Sequence, residues 1–492
     1  MLAPRVRRPR TAGKPYPAQS PTRTTAPGRT TAAPAAPPLV ARILPPRLAL
    51  LAAGALFQLV SLVLWSAGSG ASTSLGGFAA FALGTAALVA AAIVPAPLRS
   101  PAGAVRGTAY TAAAVLLLAG LAMGVLATVA TAGDLLAHSA LDPGAYVSDA
   151  AAFNHFDADL VVHGRNPYTA DATYWDALRR FPASGATPLR RGRYAGSVWG
   201  PSLDQVQRDV RAEAGDPAQR GPEYDPATLH SYPALAFLAY VPLVWAGVPS
   251  TLPTSLILLI AFLAVVGLPL AALPVRQRFI GWALLLAGAM GVLLTLRGSF
   301  EVVALLPAIL AWRLLDRPRL SPILLGLACA VKQLVWPLVP LYLVLVARRD
   351  GLRAAAVRGA IALVAFLVPN LPFAVLAPGA WARSLLLPMS LPLFPDGVGL
   401  VALARGGLLP LWPPAIYTAL ELIAVGALVV GFAFKRPQPR PELALLLGLL
   451  PLALAWRSQV GYFVWLPALA LVAALPLLPR DLAGAEGRRD SQ

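Results

Sequence analysis

GAYVSDAAAFNHFDADLVVHGRNPY, residues 144–168, lies inside a polar segment of nearly a hundred residues, about Asp134 to Ser231, with apolar runs on either side. All four histidines (His138, His155, His163, His230) fall in that segment, with thirteen of the twenty-two acids, beginning at Asp134. Chemistry that needs carboxylates or imidazoles is therefore concentrated here, and the rest of the chain reads as a scaffold presenting this loop. Ser148 suits an N-cap, residues 149–163 read as helix, and Gly164 followed by Asn166-Pro167 stops it. At about 100° per residue, Asp149, Phe153, Phe156, Leu160 and His163 share one face, the apolar inward one. Asp157 and Asp159 fall about 80° to either side of Asp149. The three carboxylates splay, so only one or two of them can face a common site.

Working outward, 57% hydrophobic and 13% charged residues over 492 positions, with a mean hydropathy of +0.67, exclude an ordinary soluble globule, whose charged share is about twice as large. The expected fold is an all-α polytopic membrane protein. The formal charge of +18 does not indicate nucleic acid, because the basic residues sit in the N-terminal tail and in short links between apolar runs, the pattern that orients membrane segments. Cys329, the lone cysteine, has no internal partner for a disulfide.

Residues 1–46 are rich in Pro, Ala, Thr and Arg without a single acid, and read as a disordered basic tail on the cytoplasmic side, in contact with anionic lipid. Residues 47–133 hold apolar stretches at 47–66, 77–95 and 108–132. Arg99 and Arg106 place the link between the last two inside, which sends the third segment outward and makes 134–231 extracytoplasmic. Within that loop, Tyr174, Trp175, Leu178 and Phe181 line one side of a short helix opposite Asp176, Arg179 and Arg180. That helix suits either the membrane interface or packing on the loop itself. Residues 185–226 read as irregular and mobile. The main bundle, 232–479, has stretches near 232–248, 252–273, 279–296, 299–315, 320–334, 335–347, 359–378, 412–434, 443–456 and 460–479, ahead of a cytoplasmic tail at 480–492. That makes thirteen stretches, yet both termini inside demand an even number of crossings. One stretch between 232 and 347 is therefore not a full crossing, and the expected count is about 11–13 transmembrane helices.

Lys332 is the only lysine within an apolar segment, and a charge at membrane depth costs at least about 2.5 kcal/mol unless it has a partner or a wet cavity. It reads as an anchor for an anionic lipid headgroup, or as a lysine snorkelling from a segment end. Arg297 and Glu301, four apart, could pair across a helix turn, or Arg297 could grip phosphate with its planar fork. His230-Ser231-Tyr232-Pro233 lines a sugar site or forms an aromatic anchor at the interface. Arg383 and Arg457 have weaker claims. A metal site from His155, His163, Asp157 and Asp159 lacks any HExxH or paired CxxC pattern, so no metal is expected. There is no Gly-rich phosphate loop with its lysine and no GxSxG.

The order of these features resembles the GT-C glycosyltransferases, most of all glycosyltransferase family 87, the polyprenol-phosphate-mannose-dependent mannosyltransferases. The resemblance rests on Asp149, then Gly164-Arg165-Asn166-Pro167-Tyr168, then Tyr232-Pro233, then Arg297-Gly298-Ser299-Phe300-Glu301, then Lys332-Gln333, and spans roughly residues 145–350. Two extra apolar segments before the loop, and Phe153 where tyrosines are usual, depart from the family. The resemblance implies a GT-C-like bundle in a bacterial plasma membrane that moves a hexose, mannose for preference, from a polyprenyl-phosphate donor to a lipid or glycan acceptor. It implies Asp149 as catalytic base and no obligatory cofactor; the neighbouring carboxylates Asp157 and Asp159 are further catalytic candidates. The substrate-binding set is His155, His163, Arg165, Asn166, Tyr168, His230, Tyr232, Arg297, Glu301, Lys332 and Gln333. The rival functions are a transporter or flippase for envelope lipids or sugars, for which related sequence halves are expected and none is seen, and a non-catalytic membrane scaffold.

Overall fold

The computed structural model describes residues 46–66, 70–93, 146, 149–169, 174–181, 187–202, 231–248, 252–272, 301–387, 393–435 and 440–477, with isolated positions between 122 and 281. Almost all regular structure among them is helical. The exception is a two-residue parallel pairing of Asp396–Gly397 with Arg457–Ser458.

Among the described residues, five helices are long and apolar enough to cross a membrane: Arg47–Trp65, Ala71–Ile93, Pro253–Ala271, Leu352–Leu376 and Pro414–Phe434. Their outward faces carry residues such as Ile257, Leu363, Val364, Val368 and Ile423, more than half exposed, a pattern that water would penalise and lipid does not. The chain is an all-α polytopic membrane protein. The expected stretches at 108–132 and 279–296 lie outside the described residues. Those at 299–315, 320–334 and 335–347 fold as Glu301–Arg313, Leu320–Val331 and Leu338–Asp350. At 1.5 Å per residue such pieces reach only about 20 Å, short of a hydrocarbon core of about 30 Å. The 232–248 stretch is two single-turn helices, Leu235–Leu238 and Val241–Trp245, with Pro242 at the start of the second, and it makes no crossing as one helix.

Small residues and hydrogen bonds join the first two helices. A Cβ on Gly84 would come within 3.0 Å of the backbone of Gln58 and Gly54, so the two backbones lie against each other. Ser61 Oγ donates to Gly77 O at 2.7 Å, and Gln58 Nε2 to Thr85 Oγ1 at 2.9 Å. At the other end Arg47 and Arg440 donate to Ala91 O and Ala92 O, satisfying carbonyls that the helix Ala71–Ile93 leaves open at its C-terminus. The largest core gathers the inner faces of these two helices, through residues such as Leu51, Phe81 and Leu88, with those of the bundle behind them, where Trp465 packs on Phe262 at 4.5 Å.

The loop forms its own small core. Helix Asp149–Val162 ends as expected: Gly164 has φ of +72°, its N–H reaches Val161 O, and Arg165 N–H reaches Leu160 O, a double bond pattern that closes the last turn. The single apolar face was too narrow an expectation, because the helix is buried nearly all round to Leu160 while His163 is exposed. Helix Tyr174–Arg180 packs Trp175, Leu178 and, just beyond it, Phe181 against Tyr146, Phe153, Phe156 and Leu160. Of the two placements open to it, packing on the loop is the one adopted. Leu189 and Tyr194 are buried in turns around Gly192–Tyr194, so residues 187–202 are irregular but anchored, whereas the described positions at 205–206, 208–209 and 212–213 are helical, where irregular structure was expected.

Gly326 sits where the helix Leu320–Val331 crosses Leu352–Leu376, and a Cβ there would collide with Ala362 O. A helix carbonyl cannot swing aside. Gly326→Ala is expected to destabilise the protein by about 1–3 kcal/mol, read as a lowered thermal unfolding midpoint in detergent.

Candidate functional site

A cavity of about 440 Å³ opens between the loop core and the helices beneath it. Asp149, Ala150, Phe153 and Thr187 line it from the loop, Ser231 and Tyr232 from the chain entering the bundle, and Lys332 and Gln333 from a helix break. Thr418, Glu421, Leu422 and Val425 come from one long helix, and Arg457, Gln459 and Tyr462 from the C-terminal segment.

Asp149 is the first residue of its helix, where a carboxylate is favoured by the N-terminal dipole. Its Oδ1 accepts from the Ala150 amide at 2.8 Å and its Oδ2 from the Thr187 amide at 2.6 Å. Burial raises its pKa above the ordinary carboxylate value, and the hydrogen bonds from Thr187 and Ala150 and the charge of Arg457 offset that rise only in part. The result is a carboxylate held in one orientation and made more basic than a surface aspartate.

Across the cavity, Lys332 Nζ meets Glu301 Oε1 at 2.6 Å, both residues buried. The cause is local. The helix Leu320–Val331 stops where Lys332 turns extended (φ −153°, ψ 139°), a single 3-10 turn at Gln333–Val335 follows, and a new helix begins at Leu338, just after Pro337, whose missing N–H is tolerated at a helix start. Lys332 thus stands at a helix C-terminus and Glu301 at a helix N-terminus, each at the end whose dipole favours its charge. The rings of Tyr232 and Tyr462 flank the ammonium at 5.8 and 5.5 Å. Irregular backbone at such depth needs partners, and it has them: Gln333 Nε2 donates to Ser231 O and Leu385 O, and Trp336 Nε1 to Cys329 O.

Arg457 is held by the strand pairing. Gly397 has φ of +127°, and Gly397 and Gly399 lie so close to Ser458 and Ala453 that no Cβ fits. Val398 N–H donates to Ser458 O, Trp456 Nε1 to Leu393 O, and Arg457 Nη1 to Phe394 O at 3.2 Å. The segment 393–399 therefore staples 455–459 to the cavity wall.

Of the residues singled out in the sequence, the cavity brings together Asp149, Tyr232, Lys332 and Gln333, with Glu301 behind Lys332. The weaker candidate Arg457 joins them. Tyr168 lies behind the wall: burial raises its pKa well above the usual tyrosine value, and the neutral hydroxyl donates to Tyr232 O at 2.7 Å. Asn166 Oδ1 accepts from Tyr168 N–H and sets that turn, while Arg165 is exposed. His155 is outside the cavity lining, stacked on Phe181 at 3.8 Å with Nδ1 2.7 Å from Tyr146 Oη, and burial lowers its pKa to about 4. Asp157 is buried beneath the helix near Tyr168. Asp159 and His163 face away, with Asp159 3.4 Å from Arg180. His230 and Arg297 are outside the described residues, as is any pairing of Arg297 with Glu301. Among the described residues no three His, Cys, Asp or Glu converge as metal ligands.

Sequence reasoning missed two contributors. Thr187 acts through a backbone amide, for which a sequence has no signal. Glu421 had one: it is the only charged residue in the span Pro414–Phe434.

A buried carboxylate, Asp149, and a buried cation flanked by aromatic rings, Lys332, thus line one partly apolar cavity of a membrane protein. Compared with known proteins, the chain matches no family model, no curated protein and no solved structure.

Removing one member of a buried ion pair strands the other charge. Lys332→Met is expected to cost about 3–5 kcal/mol, and adding Glu301→Leu should recover most of it, as read by unfolding midpoints of the single and double variants.

Proposed function

We propose that the protein is an inverting glycosyltransferase of the GT-C type, moving a hexose from a polyprenyl-phosphate donor to a hydroxyl acceptor on the extracytoplasmic side of a bacterial plasma membrane. The observation that carries this proposal is that Asp149 and Lys332, the latter paired with Glu301 behind it, line one cavity. An acceptor hydroxyl is a weak nucleophile at neutral pH, and a positioned carboxylate makes it effective by taking its proton. The acceptor oxygen bonds to the anomeric carbon from the face opposite the leaving group. The carbon–oxygen bond to phosphate breaks, its electron pair staying on the phosphate oxygen, and Asp149 receives the hydroxyl proton.

The donor is a phosphodiester with one negative charge, and the polyprenyl phosphate that leaves carries a second. Cations near that oxygen favour the transition state over the ground state. Lys332 and Arg457 are the cavity's two cationic side chains among the described residues. Displacement by one base in a single step inverts the anomeric configuration. Leu334, Trp336, Pro337, Pro340, Leu422 and Val425 give the apolar wall that a prenyl chain requires.

Membranes or purified protein supplied with labelled polyprenyl-phosphate mannose should transfer label to an endogenous lipid or glycan. Asp149→Asn should lower that rate by about 10²–10⁴-fold. Because only the ionised carboxylate accepts the proton, and burial has raised its pKa, the wild-type rate should climb with pH through a value above the ordinary aspartate range. Full activity in Asp149→Asn removes Asp149 from the role.

A further inference from the structure

Glu421 lies seven residues into the helix Pro414–Phe434, about 10 Å below its loop end, in an otherwise uncharged stretch of 21 residues. With Thr418, Leu422 and Val425 it forms a stripe at helical spacing that lines the cavity, polar above and apolar below. An acid placed among lipid-facing side chains is strongly disfavoured unless it serves a site.

The other charged groups on the cavity already have contacts. Asp149 accepts two amides, Lys332 is paired with Glu301, and Arg457 donates to Phe394 O. Glu421 is half-buried and has no hydrogen bond or ion pair among the described residues. A phosphate would be repelled by it. A neutral polyol suits it, because a carboxylate can accept hydrogen bonds from two hydroxyls at once, with Thr418 Oγ1 one turn above as a further polar contact.

We propose that Glu421 is the specificity residue for the transferred sugar, its carboxylate accepting hydrogen bonds from hydroxyls of the hexose while the phosphate lies toward Lys332 and Arg457. This assignment rests on the glycosyltransferase proposal above and adds to it the group that distinguishes a sugar-bearing donor from the spent carrier.

The test is equilibrium binding of polyprenyl-phosphate mannose and of bare polyprenyl phosphate to the full chain in lipid nanodiscs. Wild type should bind the sugar-bearing ligand more tightly. Glu421→Leu should erase about tenfold to a hundredfold of that preference while binding bare polyprenyl phosphate at least as well as wild type, which also shows that it is folded. Glu421→Gln, which keeps an acceptor oxygen, should fall between. An unchanged preference in Glu421→Leu, or equal weakening of both ligands, overturns the Glu421 assignment and leaves the wider proposal standing. Wild type binding neither ligand overturns both.

Discussion

The contact between Lys332 and Glu301 is the constraint on which the site depends. Two opposite charges buried within a membrane protein are tolerated only as a pair, and each here sits at the helix end whose dipole suits it. The pair fixes the helix break at Lys332 against the start of the helix Glu301–Arg313, and it keeps a cation at the cavity without leaving it unbalanced. A bound anion would compete with Glu301 for the same ammonium, so the strength of the internal pair sets how much of the lysine a ligand can claim.

Everything above the pair serves to hold Asp149 opposite it. The loop helix is buried on most of its circumference and packs on the short helices Leu235–Leu238 and Val241–Trp245. Tyr168 ties its C-terminal turn to Tyr232, whose ring faces Lys332, so Asp149 and Lys332 share one framework. Asn370, fully buried in the helix Leu352–Leu376, accepts from the Ala234 amide and fixes the same junction from below. On the far side, the glycines at 397 and 399 allow a backbone contact tight enough to hold Arg457 at the wall. Precision comes from polar contacts on rigid elements, although the chain is largely apolar.

Much of this was legible in the sequence. Composition and apolar runs fixed the fold class, and Gly164, Asn166 and Pro167 marked the helix stop, because turn chemistry is local. Asp149, Tyr232 and Lys332 stood out singly as an acid on the apolar face of the loop helix, an interfacial aromatic and a charge in an apolar run. Their convergence was implied only by the family resemblance and not by pattern, since Lys332 and Glu301 are 31 residues apart and joined through short, proline-broken helices whose lengths hydropathy reads poorly. His155 looked like a ligand because it is polar, but it lies in the loop's core, a placement set by tertiary packing on Phe181. Glu421 was visible as a lone acid in a membrane span and should have been weighed as Lys332 was.

The most direct measurement is photocrosslinking of the full chain in nanodiscs with a polyprenyl phosphate carrying a diazirine close to the phosphate, followed by peptide mapping. Adducts should fall on cavity residues such as Tyr232, Leu334, Trp336 and Leu422 and disappear under excess unlabelled lipid. Adducts confined to lipid-facing positions such as Leu363, Val364 and Val368, insensitive to competitor, would contradict the assignment of this cavity to the donor.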